Sequence, residues 1–164
     1  MKPSAHLWLN PFKRHSLDAR VLSAWRATPL LHGIAAGVCE KLVALTDVRQ
    51  YQSGEYVFRE GDNAVAAAVI IQGNVIIRSD DQDIATLGVG DFFGEAALLE
   101  DAPRSASAIA DGVTVVSMLV RYPLEEFVRH RPQAGLDIMT NLAQLLLARL
   151  YRGNHSLGDD SDNA

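Results

Sequence analysis

"EYVFREGDNAVAAAVIIQGNVIIRSDDQDIATL", Glu55 to Leu87, sets the architecture. It holds short runs rich in β-branched and aromatic residues: Tyr56–Phe58, Val65–Ile71, Val75–Ile77 and Ile84–Leu87. Between them stand Gly61-Asp62-Asn63, Gly73-Asn74 and Asp80-Asp81, residue types that favour turns. The same grammar reaches back to Ser53-Gly54 and forward through Gly88, Gly90, Ser107–Ala110, Asp111-Gly112 and Val113–Val120. Short strands punctuated this densely predict a sandwich or barrel, and a jelly roll folds them without long exposed edges. The predicted class is mainly β with flanking helices: a β-jelly-roll (double-stranded β-helix) barrel over about residues 48–122, with N-terminal helices and C-terminal lid helices.

On either side the period changes to that of a helix. "SLDARVLSAW" carries a cap signal at Ser16 and apolar spacing at Leu17, Val21, Leu22 and Trp25; Thr28 to Leu45 reads as a short helical pair around Gly33 and Gly37. After Pro123 a helix is predicted from Leu124 to about His130, with a break at Pro132 and a longer helix to about Arg152. The last of these is apolar almost all round between Leu142 and Tyr151, so one side needs a partner besides the barrel. The boundaries expected are a helical extension over 1–27, one domain over 28–152 with C-terminal helices over 123–152, and an acidic, disordered tail over 153–164.

Composition narrows the classes of function. The chain has 164 residues and a net charge of −5, with Lys2, Lys13, Arg14, Arg20, Arg26 and Lys41 making residues 1–45 locally basic. An acidic chain argues against a general nucleic-acid partner. A single cysteine, Cys39, in an apolar stretch fits a buried residue in a reducing compartment. No apolar run approaches the roughly 18 residues of a transmembrane segment. A cytoplasmic location is expected. "HLWLNPFKRH", His6–His15, mixes Trp8, Leu9 and Phe12 with cations and is expected to pack as a helix on its own domain.

The histidines decide against enzyme chemistry. His6, His15, His32, His130 and His155 all lie outside 48–122, so the barrel lacks a metal-binding histidine cluster and a general base for a nucleophile. No metal, no catalytic residue and no enzymatic activity are expected. Anion binding is different. Gly94-Glu95-Ala96-Ala97-Leu98-Leu99 reads as a sharp strand exit into a helical turn, whose N–H groups suit a phosphate. Arg104, nine residues after Glu95, can add a bidentate charge-assisted pair. Glu95 repels a phosphate but suits a sugar hydroxyl close by. From spacing alone, a turn closed by a Glu95–Arg104 salt bridge explains the same residues.

A longer comparison supports the ligand reading. "GDFFGEAALLEDAPRSASA", Gly90–Ala108, closely resembles the phosphate-binding cassette of the cyclic nucleotide-binding domain family. The family's pattern falls on Phe93-Gly94-Glu95, the small pair Ala96-Ala97, Leu98 and Arg104-Ser105-Ala106. The resemblance runs from about Thr28 to Arg152. It implies that Glu95 accepts from a ribose 2′-hydroxyl and that Arg104 holds the cyclic phosphate. Gly94 and the backbone near Ala96, Ala97 and Ser105 would assist. It also implies that the final helix closes over the base; Leu147, Leu150 and Tyr151 are the lid candidates. Cyclic GMP-selective members often carry Thr where Ser105 stands, so the ligand expected is cAMP rather than cGMP.

The function expected is a cyclic nucleotide sensor with no catalytic or DNA-binding domain of its own. It would signal to an effector protein through the C-terminal helix and form a homodimer through its C-terminal or N-terminal helices. The alternative is a degenerate, nucleotide-independent module for oligomerisation or partner binding.

Overall fold

The computed structural model describes residues 11–156, with side chains over 17–151. Trp8 and the rest of residues 1–10, and the tail over 157–164, lie outside the described residues. Helix α1 (Pro11–Arg26) leads through a 3-10 turn (Pro29–Leu31) to α2 (Ala36–Val43). Six strands follow: β1 (Asp47–Tyr51), β2 (Tyr56–Phe58), β3 (Ala66–Ser79), β4 (Gln82–Leu87), β5 (Phe92–Phe93) and β6 (Ser107–Val120). The chain closes with α3 (Arg121–His130) and α4 (Pro132–Ser156). Several boundaries differ from expectation; α3, for one, starts at Arg121 rather than Leu124. Helix α1 is already helical from Pro11, so Ser16 lies inside it rather than capping it. Gly37 lies inside α2 rather than beside it. Helix α4 runs on to Ser156, past the predicted start of the tail.

The strands form one antiparallel six-stranded sheet in the order β1-β6-β3-β4, with β2 also on β6 and β5 also on β3; the ladder is not closed. Strands β3 and β6 are its spine, paired from Ala66↔Val120 to Arg78↔Ser107. The pairs Gly73-Asn74 and Asp111-Gly112, read as turns, are irregularities inside these two strands. Gln72 faces Val115 and Asn74 faces Asp111, so β6 carries extra residues there. Such bulges bend a strand and increase its twist without ending it. Asp80 and Asp81 do make the expected hairpin turn, with φ of 49° and 62°, the positive angles a tight two-residue hairpin requires.

The near-continuous apolar run of β3 is explained by burial on both faces. Ala67, Val69 and Ile71 join a core with Trp25, Leu30, Leu42, Leu119, Phe127, Ile138 and Leu142, which is where the helices pack. Ala68 and Ile70 point the other way, to Val75, Phe93, Ala108 and Val116. Alternate side chains of a strand serve opposite faces, and here neither face is left to water. Trp25 anchors α1 to the sheet by donating from Nε1 to the Ser117 hydroxyl at 2.8 Å. Asn141 ties α4 to the 3-10 turn through the Leu30 and His32 carbonyls at 3.0 and 2.9 Å. Cys39 is buried, its thiol donating weakly to the Ile34 carbonyl, and burial pushes its pKa up. That is a packing residue rather than a nucleophile.

Candidate functional site

Strand β5 delivers the site. Its two phenylalanines pair with Ala68 and Val69, and the chain then turns sharply at Gly94. Gly94 has φ 71° and ψ 21°, a left-handed conformation that favours glycine. A Cβ there would stand 2.7 Å from Nη1 of Arg104, so glycine also makes room for that guanidinium. A 3-10 turn follows over Glu95–Leu98. Within it the Ala97 N–H donates back to the Gly94 carbonyl at 3.2 Å, so this expected phosphate donor is already engaged. The return limb is clipped to the loop after β2: Arg104 N–H donates to Asp62, and Gly61 N–H to the Arg104 carbonyl.

A cavity of about 670 Å3 opens between these limbs and α4. That volume is in the range of small-molecule sites. Phe93, Gly94, Glu95, Ala96, Ala97, Arg104, Ser105 and Ala106 all line it. Phe58, Ile77, Ala85 and Leu87 add an apolar wall from the sheet, and Leu145 and Arg149 close it from α4. Leu147, Leu150 and Tyr151 do not line it; each is more than half exposed, on another side of α4. Arg149 stands one turn from Leu145 and therefore shares its face.

Arg104 is the unusual group. Its side chain is buried, with Nη2 donating to the Ala66 carbonyl at 2.6 Å and Nη1 to Gly94 at 3.3 Å. The guanidinium carbon lies 3.8 Å from the centroid of Phe58. Nε has no hydrogen-bond partner among the described residues. Burial lowers the pKa of this cation, and the charges of Asp62 and Glu95 oppose that shift. A turn closed by a Glu95–Arg104 salt bridge is not what the geometry presents: Glu95 instead pairs with Arg149, Nη1 to Oε1 at 2.5 Å. A buried cation held by carbonyl dipoles and a ring face is set up to take an anion.

The far end of the cassette is also fastened. Asp101, in the turn before Arg104, pairs with Arg121 at the start of α3, which also reaches Glu125 at 3.6 Å. Among the described residues no group of three His, Cys, Asp or Glu could hold a metal ion, and no helix is long and apolar enough to cross a membrane.

The sequence profile of the cyclic nucleotide-binding domain matches residues 48–131, just over half of the chain and including the whole cassette. The chain belongs to the cyclic nucleotide-binding domain family. Among its relatives is the cyclic AMP receptor protein of Thermus thermophilus, 32% identical over 137 residues, covering 80% of this chain and 62% of that protein. Glutaminase 1 of Bradyrhizobium diazoefficiens is 38% identical over 143 residues, covering 85% of this chain but 23% of the glutaminase. The chain thus spans less than two thirds of the length of either. In fold it is similar to a cyclic nucleotide-binding domain from Methylobacillus flagellatus, with a TM-score of 0.76 at 23% identity over 91% of this chain and 86% of that one. The six-stranded antiparallel sheet with flanking helices matches the family's jelly-roll fold, and the regulatory domain it builds is a cyclic nucleotide-binding one.

Residues missed from sequence are Phe58, Ile77, Ala85 and Leu87 on the sheet and, on α4, Leu145 and Arg149. The signal for the last two was weak: an apolar helix offers no polarity to say which stripe faces the sheet. A single arginine one turn after a leucine was the clue.

Proposed function

We propose that this chain is a non-catalytic cyclic nucleotide sensor, acting in the cytoplasm, that binds cAMP in preference to cGMP and reports through α4. The observation that carries this reading is Arg104, a buried cation in the cavity wall with no ion-pair partner among the described residues. The cyclic phosphate takes Arg104, the ribose 2′-hydroxyl donates to Glu95, and the purine lies against Ile77, Leu87 and Leu145. Ser105, at the place where cyclic GMP-selective relatives often carry Thr, supports the preference for cAMP. Binding favours the arrangement in which cassette and α4 are closed together, and an effector protein reads that shift. We take residues 28–152 as the sensor domain, with α1 as an addition whose Val21 and Trp25 share its core.

A thermal melt tests the reading. A ligand at 100 times its dissociation constant stabilises by about 2.7 kcal/mol, so cAMP is expected to raise Tm by about 5–10 °C. A melt unmoved by millimolar cAMP and cGMP would favour the nucleotide-independent module instead.

The exposed face of α4 supports a homodimer. Leu136, Thr140, Ala143, Leu147 and Leu150 alternate in steps of four and three, and the leucines among them are 51–63% exposed. That is the spacing of a two-helix seam. Light scattering is expected to give a dimer, and Leu147→Glu with Leu150→Glu a monomer that still melts cooperatively. A wild-type monomer at high micromolar concentration would count against this seam.

A further inference from the structure

Arg149 joins the last helix to the cavity through two contacts. Nη1 meets Oε1 of Glu95 at 2.5 Å, and Nη2 donates to the Phe92 carbonyl at 2.7 Å. The guanidinium is thus forked between a buried carboxylate and the strand that delivers it. Glu95 is 5% exposed, so its charge is costly without a partner.

Adding a ligand sharpens that requirement. A cyclic phosphate carries one negative charge, and Arg104 supplies one positive. With Glu95 ionised beside them the cavity would hold one uncompensated negative charge, which a low-dielectric site disfavours. Arg149 offsets that charge; the other carboxylate at the cavity, Asp91, is exposed to water and accepts from the Gly88 N–H. Arg149 can do so without displacement, because a carboxylate accepts at both oxygens and the ion pair engages Oε1. Oε2 can then take a hydroxyl donor. The fork also limits how the carboxylate can rotate, since the same guanidinium is held by Phe92.

We propose that Arg149 is a positioning residue for nucleotide binding. It orients and neutralises Glu95 in the presence of the anion, and because it rides on α4 it makes occupancy of the cavity and closure of that helix a single coupled event. This rests on the cyclic nucleotide reading of the site. Coupling of this kind is reciprocal: whatever fixes α4 near Arg149 also tightens the ligand, and the ligand fixes α4.

Calorimetric titration of the full chain with cAMP, run as a double-mutant cycle, tests it. Arg149→Ala is expected to weaken binding about tenfold, within the range common for coupled sites. In a Glu95→Gln background, where there is no carboxylate charge to offset, the same change should cost less than about twofold. Arg149→Lys should recover part of the loss, since it keeps the charge but not the fork. Hydrogen exchange should show that cAMP protects amides over 145–151 in the wild type and not in Arg149→Ala at saturating ligand. Equal or tighter binding by Arg149→Ala would overturn the proposal and make Arg149 a competitor of the nucleotide. An equal loss in both backgrounds would overturn it too. If the wild type binds no cyclic nucleotide, the function reading falls and takes this with it; wild-type binding with an indifferent Arg149 sinks the positioning role alone.

Discussion

Arg104→Ala is expected to weaken cAMP binding by about 2–5 kcal/mol, roughly thirty- to several-thousandfold, the cost of truncating one partner of a buried charge pair. The size follows from the surroundings. Arg104 is 8% exposed and oriented by the Ala66 and Gly94 carbonyls and by the Phe58 ring. The cost of burying and aiming the cation is therefore already met in the unliganded fold, and a phosphate gains the full contact. Arg104→Lys should fall between, since an ammonium cannot reach both carbonyls in a planar fork. The measurement is calorimetry on variants whose unliganded melts remain cooperative. An affinity unchanged in Arg104→Ala would place the phosphate elsewhere.

Gly73→Ala is expected to be the most damaging single methyl in the sheet. Gly73 has φ 80°, and a Cβ would lie 2.6 Å from the Val113 carbonyl oxygen and 2.9 Å from the Thr114 Cα. Those are backbone atoms of the paired strand, which cannot step aside as a side-chain tip can. The left-handed conformation adds about 1–2 kcal/mol and the overpacking about 1–3 kcal/mol. A loss of about 2–5 kcal/mol should lower Tm by about 5–15 °C. A melt within a degree of the wild type would show that β3 and β6 are not locked across this bulge.

These two residues mark what could be read in the chain and what could not. The unbroken apolar run of Ala66 to Ile71 and the turn at Asp80-Asp81 are local patterns, and local patterns survive into the fold. The cassette is local as well: Gly94, Glu95 and Arg104 fall within eleven residues, so one stretch lays out most of the cavity's polar side. The bulge at Gly73 reads as a turn in the sequence because a glycine beside an asparagine looks the same in either role. What decides between them is Asp111, thirty-seven positions away, facing Asn74 across the ladder. Strand β1, a polar "DVRQY", and the two-residue β5 carry too little pattern to be delimited from sequence.

Helix α4 shows the same limit. Nearly every residue from Leu142 to Tyr151 is apolar, so the stripe that meets the sheet has no local mark beyond Arg149 itself. Leu147, Leu150 and Tyr151, the lid candidates from sequence, do not line the cavity but face outward, where Leu147 and Leu150 continue the exposed seam. Leu145 and Arg149 take the inner face, because Asn141 and Leu142 fix the rotation of the helix against Leu30 and the sheet. The Glu95–Arg104 salt bridge that spacing alone allows is not formed; the partner of Glu95 is Arg149, fifty-four residues later. Long-range pairing of this kind is set by packing rather than by spacing.

In the proposed complex a buried arginine and a buried carboxylate face one cyclic nucleotide. Calorimetric titration of the unaltered chain with cAMP tests this most directly. The expected result is a saturable isotherm with one nucleotide per chain, and a weaker one with cGMP. A folded protein that takes up no heat from either nucleotide at millimolar concentration would contradict it.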